Sequence, residues 1–236
     1  MDTELNRGSL LTANISVLIP TLNAEKTLPI SLQALMEGLT AGLIRELIIS
    51  DGGSTDATCR IADDVGATLV TGPASRGGQL KRGAEIAKGR WLLVLHADTE
   101  LEKGWSREVS DYLEAEDAPA HFKLAFRARG MMPKWVAGWA NIRSALFGLP
   151  YGDQGLLISI DDYRRAGGFP DQPLMEDVAL VRALDRRPVG LPVLATTAAD
   201  RYHRNGWMRR GARNIWTLSR YLAGADPEVL AQAYRR

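Results

Sequence analysis

Two apolar runs, Leu47-Ile48-Ile49-Ser50 and Trp91-Leu92-Leu93-Val94-Leu95, decide the fold of this chain, and each leads into a polar turn that contains an acid. The first continues as Asp51-Gly52-Gly53-Ser54-Thr55-Asp56 and the second as His96-Ala97-Asp98-Thr99. Short apolar runs bounded by turn residues are typical of buried strands. Because ligands bind outside the carboxyl ends of strands in open α/β sheets, we expect a binding site where the two turns meet.

The residues around these runs predict an α/β fold. Further strands are expected at 15–19, ended by Pro20, which cannot donate a ladder hydrogen bond, and at 68–70. Helices are expected at about 25–39, after the 54–56 turn with Ser54 or Thr55 as cap, and from 75 to near 89. Strands alternating with helices predict a Rossmann-like, mostly parallel central sheet with helices on both faces.

The second half of the chain is less regular. Helices are predicted at 104–115, from Asp161 as cap to 167–168, at 176–186, at 206–224 and at 227–234, with an antiparallel strand at 121–127 and short strands at 156–160 and 189–194. Trp135, Trp139, Ile142 and Leu146 recur at helical spacing. We see no linker or repeat, so residues 1–236 are expected to form a single domain. It would comprise a nucleotide-binding half at about 15–100, an acceptor half at about 101–205 and a C-terminal helical extension at about 206–236.

Composition narrows the class of protein. The 236 residues are 45% hydrophobic and carry a formal net charge of +1, which argues against a nucleic-acid-binding protein because such proteins need a basic field. The single cysteine, Cys59, excludes an internal disulfide. Residues before Asn14 form a leader, residues 1–14 lack the pattern of a signal peptide, and no apolar run is long enough to span a bilayer. We therefore expect a cytoplasmic protein.

Four groups of polar residues are candidates for chemistry. Asp51 at a strand end can accept hydrogen bonds from a nucleobase imide, although a plain turn with an Asx cap is the simpler explanation of Asp51 taken alone. Asp98, with His96 two residues earlier, can ligate Mg²⁺ or Mn²⁺, or else cap a loop beside a buried histidine. Arg76 and Arg82, at a glycine-rich helix start, can hold a diphosphate, or else form part of a solvated helix face together with Lys81.

Glu176 and Asp177 form the fourth group, at the start of a predicted helix. Adjacent acids at a helix start often only match the helix dipole. The functional alternative is a general base, which requires a carboxylate facing an acceptor hydroxyl.

Taken together, the motifs resemble those of the family-2 glycosyltransferases. The shared features are Pro20-Thr21-Leu22-Asn23, the turn 51–56, His96-Ala97-Asp98 and Glu176-Asp177, in the family's order and approximate spacing. Within that family the chain resembles the short, stand-alone bacterial branch associated with arsenosugar biosynthesis. Residues 95–99, Tyr151-Gly152-Asp153-Gln154 and the arginine-rich stretch before Gly206-Trp207 carry this second likeness.

The resemblance implies a GT-A fold, a nucleoside-diphosphate sugar as donor, UDP-sugar as the first choice, a divalent cation (Mn²⁺ or Mg²⁺) and inversion at the anomeric carbon. It implies Asp177 as the catalytic base, assisted by Glu176, and Asp98 with His96 as the metal ligands. His96 departs from the family pattern, which has aspartate at this first position of the DxD motif. The expected substrate-binding residues are Pro20, Thr21, Asn23, Glu25, Asp51, Gly52, Arg76, Arg82, His96, Ala97, Asp153, Gln154, His203 and Arg204.

Alternative functions remain open at this point. A sugar-phosphate nucleotidyltransferase would need a glycine-rich loop near the N-terminus, which residues 15–23 lack, and a non-catalytic nucleotide-sugar binding module would not need both Asp98 and Asp177. The Gln-x-x-Arg-Trp signature of processive synthases is absent, so we expect transfer of a single sugar to a small-molecule or lipid-linked acceptor.

For the 206–224 helix there are two interpretations. It packs on the sheet through Met208, Ala212, Ile215 and Leu222, or it presents Arg209, Arg213, Arg220 and Trp216 to an anionic acceptor or membrane surface.

Overall fold

The computed structural model describes residues 14–235, so the predicted leader lies outside the described residues. The strands are β1 (Ile15–Thr21), β2 (Ile44–Asp51), β3 (Thr68–Thr71), β4 (Trp91–Val94), β5 (Glu100–Leu101), β6 (Ala120–Phe126), β7 (Leu156–Ser159) and β8 (Val189–Thr197). The helices are α1 (Leu28–Thr40), α2 (Thr58–Asp64), α3 (Arg76–Glu85), α4 (Trp105–Ala115), α5 (Met131–Phe147), α6 (Ile160–Arg165), α7 (Glu176–Ala183), α8 (Asp200–Asn205), α9 (Trp207–Leu222) and α10 (Pro227–Arg235). A 3-10 turn at Gly152–Gln154 precedes β7.

All eight strands join one sheet in the order β3-β2-β1-β4-β7-β6-β8-β5. The first four are parallel, as the alternation of strands and helices predicts. The second half is mixed, because β7 runs antiparallel to β4 and β6, whereas β6 and β8 are parallel. The predicted antiparallel strand at 121–127 is therefore β6, with one antiparallel and one parallel neighbour.

Helices cover both faces of the sheet. Along β1, Val17 and Ile19 join one buried cluster with side chains of α1 and α4, whereas Leu18 joins another with side chains of α3, α6 and α7. Successive strand residues point to opposite faces, so both faces of β1 are buried. This double burial explains why the strand is a continuous apolar run rather than an alternating one.

Three local predictions are wrong. Pro20 does not end β1, which continues to Thr21 with Pro20 paired to Ser50. Neither Ser54 nor Thr55 caps α2, whose cap position is Ala57, because the Ser54 hydroxyl is engaged by Asp51 and Asn23 instead. Ser159 rather than Asp161 caps α6, through a hydrogen bond accepted from the Asp162 amide.

Two helices of the second half expose much of their apolar surface. The stripe Trp135, Trp139, Ile142 and Leu146 lies on α5 at the predicted spacing, but all four side chains are exposed. Helix α9 packs against α5, α8 and α10 and leaves Met208, Ile215 and Leu222 exposed, so these residues do not pack on the sheet. No helix among residues 14–235 is long and apolar enough to cross a membrane.

Candidate active site

A cavity of about 890 Å³ opens at the carboxyl ends of β1 and β4. Its wall includes four parts of the chain: the loops after β1 and β4, the start of α3 with Arg76, the turn and helix start that hold Asp153 and Asp177, and the C-terminal helices α8 to α10. The volume is within the range of small-ligand sites. Of the two strand-end turns expected at the site, the turn after β4 lines the cavity. The turn after β2 lies behind the cavity wall.

Asp51 organises the edge of the cavity from a buried position. Its Oδ1 accepts hydrogen bonds from the Thr21 hydroxyl (2.8 Å) and the Ser54 hydroxyl (2.5 Å), and its Oδ2 accepts from the amides of Gly53 (2.8 Å) and Ser54 (2.7 Å). Burial raises the pKa of Asp51, but the hydrogen bonds from Ser54, Thr21 and Gly53 outweigh it and hold the pKa below its usual value. Four donors match the four lone-pair sites of a carboxylate, so a nucleobase imide would have to displace one of them.

The loop that carries Asn23 is hydrogen-bonded to the turn after β2. The Asn23 amide donates to the Ser54 hydroxyl (2.8 Å), and the Asn23 side-chain oxygen accepts from the Thr55 amide (2.9 Å). Asn23 and Met175 are the non-glycine residues with positive φ within residues 14–235, at 51° and 63°, and both line the cavity. Left-handed backbone is costly for such residues and clusters at functional sites.

Replacing Asp51 with alanine removes the acceptor that fixes the loops beside the cavity, so binding of UDP is expected to weaken by roughly 1.5–3 kcal/mol, comparable to the loss of one hydrogen bond to a charged group. Asp64→Ala, at an exposed position on α2, is the matched control and should bind UDP normally. Calorimetric titration measures both affinities. An Asp51→Ala protein that stays folded and binds UDP as tightly as the wild type contradicts the assignment.

Arg76 stands at the centre of the polar part of the wall. Its Nε lies 2.6 Å from Oε1 of the buried Glu176, and its Nη2 contacts the His96 ring. Burial lowers the pKa of His96 well below its usual value, and Arg76 and Arg201 lower it further. Burial raises the pKa of Glu176 to about 7, with Arg76 opposing the rise and Asp177 adding to it. Arg76 therefore joins a neutral imidazole to a buried acid beside the cavity.

Two further carboxylates, those of Asp153 and Asp177, belong to the cavity wall and differ in their hydrogen-bond partners. Asp177 accepts hydrogen bonds from the amides of Gly152 (2.6 Å) and Val178 (2.8 Å), one on each oxygen, so each oxygen keeps a lone pair. Asp153 has a buried Oδ1 without a partner among the described residues. Burial raises the pKa of Asp153 to about 6, with Arg143 opposing and Asp177 adding to the rise. Asp177 therefore keeps lone pairs for a ligand hydroxyl, and Asp153 keeps a buried oxygen without a partner beside it.

Few side chains at the cavity can ligate a divalent cation. His96 and Asp98 line the cavity together after β4, and no cluster of three or more histidine, cysteine or acidic side chains suited to a metal occurs within residues 14–235. Mg²⁺ is usually held by one or two carboxylates and otherwise by substrate phosphates and water, and imidazole suits transition metals such as Mn²⁺. A neutral His96 and Asp98 therefore fit such an ion, provided that Arg76 releases the ring.

The far end of the cavity is basic and aromatic. Arg210 is buried, its guanidinium stacks 4.2 Å from the Tyr234 ring centre, and it donates a hydrogen bond to the Tyr234 hydroxyl. The Tyr234 hydroxyl donates to Asn214 (2.8 Å), which donates to the Tyr202 hydroxyl (3.1 Å). Among residues 14–235, Arg210 has no carboxylate at ion-pair distance. A buried arginine without an acid partner favours an anionic ligand.

The structure brings together most of the residues predicted for the site. Those that line the cavity are Pro20, Thr21, Asn23, Arg76, His96, Ala97, Asp98, Asp153, Glu176, Asp177 and Arg204. Those that do not are Glu25, Asp51, Gly52, Arg82, Gln154 and His203. Each residue of the second group has an identifiable structural partner.

Gln154, Gly52 and Arg82 serve packing rather than a ligand. Gln154 is buried beneath the 3-10 turn, where it accepts from the Ser144 hydroxyl at 2.6 Å. Gly52 lacks a side chain because Gln79 lies against it, 3.0 Å from where a Cβ would stand. Arg82 donates to the Pro73 carbonyl at 3.1 Å.

Glu25 and His203 also point elsewhere. The Glu25 carboxylate accepts from the Ala57 amide at 3.1 Å, which fixes the start of α2. His203 is exposed and stands edge-on to Trp207. The glycine-rich start of α3 is likewise closed to a diphosphate, because a Cβ at Gly77 would stand 2.0 Å from the Pro170 carbonyl oxygen.

Sequence reasoning missed several residues of the wall: Gln79, Tyr151, Met175, Arg201, Tyr202, Arg210, Asn214 and Tyr234. The excess of arginine between 201 and 220 was visible, but not that Arg210 turns inward while its neighbour Arg209 stays exposed. Tyr234 gave no signal at all, because only the folded chain brings α10 to the cavity.

Residues 16–134 match the family model described as glycosyl transferase family 2, which is half of the chain. The chain belongs to glycosyltransferase family 2. The family match favours this assignment over the nucleotidyltransferase alternative, whereas nothing in the comparisons tests the arsenosugar-associated branch, which stays a prediction.

Relatives and solved structures agree with the family. A Mycobacterium tuberculosis protein named PGL/p-HBAD biosynthesis glycosyltransferase is 37% identical over 93 residues, which is 36% of this chain and 36% of that protein. A mannosyltransferase from Pyrobaculum calidifontis, solved with GDP-Man and Mn²⁺, has a TM-score of 0.65 at 16% identity, over 94% of this chain and 70% of that one. Glucosyl-3-phosphoglycerate synthase from Mycobacterium tuberculosis, solved with Mn²⁺, UDP and phosphoglyceric acid, has a TM-score of 0.53 at 24% identity, over 79% and 68%. These likenesses show the GT-A fold.

Proposed function

We propose that this protein transfers one sugar from a nucleoside-diphosphate sugar, with UDP-sugar as the first choice, to an acceptor hydroxyl with inversion at the anomeric carbon. The observation that carries the proposal is that one cavity joins the β1 and β4 strand ends, where nucleotides bind in α/β sheets, to a carboxylate with free lone pairs. The family membership of the chain supports the same reaction class.

The donor occupies the part of the cavity formed by the loops after β1 and β4. Thr21 and Asn23 face the nucleoside, and Asp51 fixes the loops around it through its four hydrogen bonds. The side chain of Arg76 is about one-third exposed, at 34%, and presents its positive charge to the diphosphate. Guanidinium groups match phosphate oxygens in geometry and charge.

Inverting transfer is a single displacement. The acceptor oxygen forms its bond to the anomeric carbon while the bond from that carbon to the diphosphate oxygen breaks, and the acceptor proton passes to a carboxylate. Asp177 takes this role, since two backbone amides hold it in place and each of its oxygens retains a lone pair. Glu176 holds Arg76 at the site through their ion pair.

His96 and Asp98 would hold the divalent cation. When bound, Mn²⁺ or Mg²⁺ supplies a Lewis acid that neutralises charge on the leaving diphosphate. Solved relatives of this fold contain Mn²⁺ with GDP-Man or with UDP.

The acceptor enters from the end formed by α8, α9 and α10. Arg201, Arg204, Arg210 and Arg213 line this end, with Asp200 as the acid among residues 199–225. Complementarity of charge favours an acceptor that carries an anionic group close to its reacting hydroxyl. Both a small molecule and a lipid-linked compound meet this condition.

A panel of nucleoside diphosphates and nucleotide sugars, measured by thermal shift with and without Mn²⁺, tests the proposal. A bound donor increases the free energy of unfolding by mass action, by about 2.7 kcal/mol at a hundred times its dissociation constant, and so raises the midpoint of unfolding. We expect the largest shift for a UDP-sugar with Mn²⁺. If no member of the panel shifts the midpoint, the protein does not bind nucleotide sugars.

A non-catalytic binding module is the second candidate, and turnover separates it from the transferase. With Mn²⁺ present, a transferase releases nucleoside diphosphate slowly even when water is the acceptor, whereas a binding module releases none. Asp98 and Asp177, both on the cavity wall, favour the transferase.

A further inference from the structure

We propose that α5 and α9 form a docking surface for an anionic membrane. Helix α5 exposes Met131, Trp135, Trp139, Ile142 and Leu146, with exposed fractions of 86%, 57%, 53%, 51% and 64%. Their spacings of four, four, three and four residues place them along one stripe of the helix. Single exposed apolar residues are ordinary, whereas a contiguous stripe of large ones marks an interaction site.

Helix α9, which packs against α5, has an arc of the same kind. At about 100° per residue, Met208, Ile215, Trp216 and Leu222 lie within about one-third of its circumference, and all four are exposed. Arg209 and Arg220 border the arc at its Trp216 edge. The opposite side of α9 buries Arg210, Thr217 and Leu218, so this side holds the helix to the rest of the protein while the arc of large apolar residues faces solvent.

The charges beside the two apolar surfaces favour an anionic membrane as the binding partner. Lys134 on α5 is exposed and lies beside the stripe, Arg209 and Arg220 border the arc on α9, and neither helix contains an acidic residue. An apolar stripe bordered by basic residues and containing tryptophan is typical of helices that lie in the interface of an anionic bilayer. Tryptophan prefers this depth because its ring is apolar and its N–H is polar.

A second copy of the chain fits this surface less well. A symmetric dimer brings the same patch of both subunits together, and the charged residues of α5 and α9 that border this patch, Lys134, Arg209 and Arg220, are all positive. Like charges facing one another across an interface oppose association. An anionic bilayer, in contrast, covers the apolar stripe and neutralises the arginines at the same time. The inference is independent of the reaction proposed above, because it concerns residues on the outer surface.

Flotation with lipid vesicles tests the proposal on the full chain. We expect the protein to float with vesicles of phosphatidylcholine and phosphatidylglycerol at low salt, and less with phosphatidylcholine alone. Combining Trp135→Glu with Trp139→Glu should lower the partition coefficient at least about tenfold, since each buried aromatic side chain contributes about that factor or more. Combining Arg209→Gln with Arg220→Gln should also lower it about tenfold or more on the anionic vesicles, at about 1 kcal/mol for each arginine.

The matched control is Met36→Glu combined with Leu39→Glu on α1, where the exposed fractions are 54% and 52%. It introduces the same two charges at equally exposed apolar positions and should float like the wild type. Circular dichroism spectra and unfolding midpoints that are equal in all variants show that each is folded.

Three results would overturn the proposal. The wild type does not float with anionic vesicles at low salt, or the tryptophan variant floats as well as the wild type, or the control loses binding to the same extent. Light scattering provides a separate test, because it measures the oligomeric state of each variant. A dimer that the tryptophan variant converts to a monomer, without any binding to vesicles, would assign the surface to a second copy of the chain.

Discussion

The Asp177→Asn protein is expected to transfer sugar about 10²–10⁴-fold more slowly than the wild type, which is the usual contribution of a general base. Asparagine keeps the size of aspartate but cannot take a proton from the acceptor hydroxyl. The variant also loses one of the two hydrogen bonds from the Gly152 and Val178 amides, because the asparagine nitrogen cannot accept. Steady-state rates with the donor and acceptor identified by screening measure the effect.

Donor binding separates this role from a structural one. Calorimetric affinity for UDP should be nearly unchanged in Asp177→Asn, so that the loss falls on turnover. Glu176→Gln should reduce turnover less, since Glu176 acts through Arg76. If Asp177→Asn keeps the wild-type rate while Asp153→Asn loses it, the base is Asp153, whose Oδ1 has no partner among the described residues.

The second large effect is expected at Asp98. Asp98→Asn, or an excess of chelator with the wild type, should lower transfer at least about a hundredfold, because a metal ion contributes several kcal/mol to the stabilisation of charge on a leaving group. Thermal shift with a nucleoside diphosphate should respond to Mn²⁺ in the wild type and not in the variant. Both readouts address the same carboxylate, one through the reaction and one through binding.

Asp111→Asn, at an exposed position on α4, is the control for the loss of one negative charge, and it should keep both the metal response and the activity. Full turnover of the wild type in excess chelator would show that Arg76 and the rest of the chain suffice for the leaving group. That result would contradict the assignment of Asp98 and His96 as metal ligands.

The sequence predicts the first half of the fold well because its signals are local. β1, β2 and β4 are apolar runs buried on both faces, and the turns that follow them lie at their carboxyl ends. The motif at 96–98 and the pair Glu176 and Asp177 were placed at one site by the family likeness, and the structure puts all of them on the cavity wall.

Burial and partners decide what the sequence could not show. Asp51 looks like a ligand-facing acid from its position, yet Thr21, Gly53 and Ser54 already occupy its oxygens. Gln154 resembles a binding residue, but Ser144, 10 positions away, holds it in the interior. Such contacts depend on packing between separate elements, which periodicity does not encode.

The apolar stripe on α5 shows a second limit of what periodicity can predict. Periodicity correctly predicts that Trp135, Trp139, Ile142 and Leu146 share one side of a helix. Periodicity does not say which surface that side meets, and here it meets solvent because Val136, Ala137 and Ala140 fill the contact with β6 instead. Periodicity therefore predicts the stripe, and only the fold shows which way the stripe faces.

Release of nucleoside diphosphate from a panel of nucleotide sugars, followed with wild type and Asp98→Asn in the presence of Mn²⁺, tests the central claim most directly. The account predicts that the wild type releases nucleoside diphosphate from one nucleotide sugar, UDP-linked as first choice, and that the variant releases it at least about a hundredfold more slowly. Equal release by both proteins, or no release from any sugar at any acceptor concentration, would contradict it.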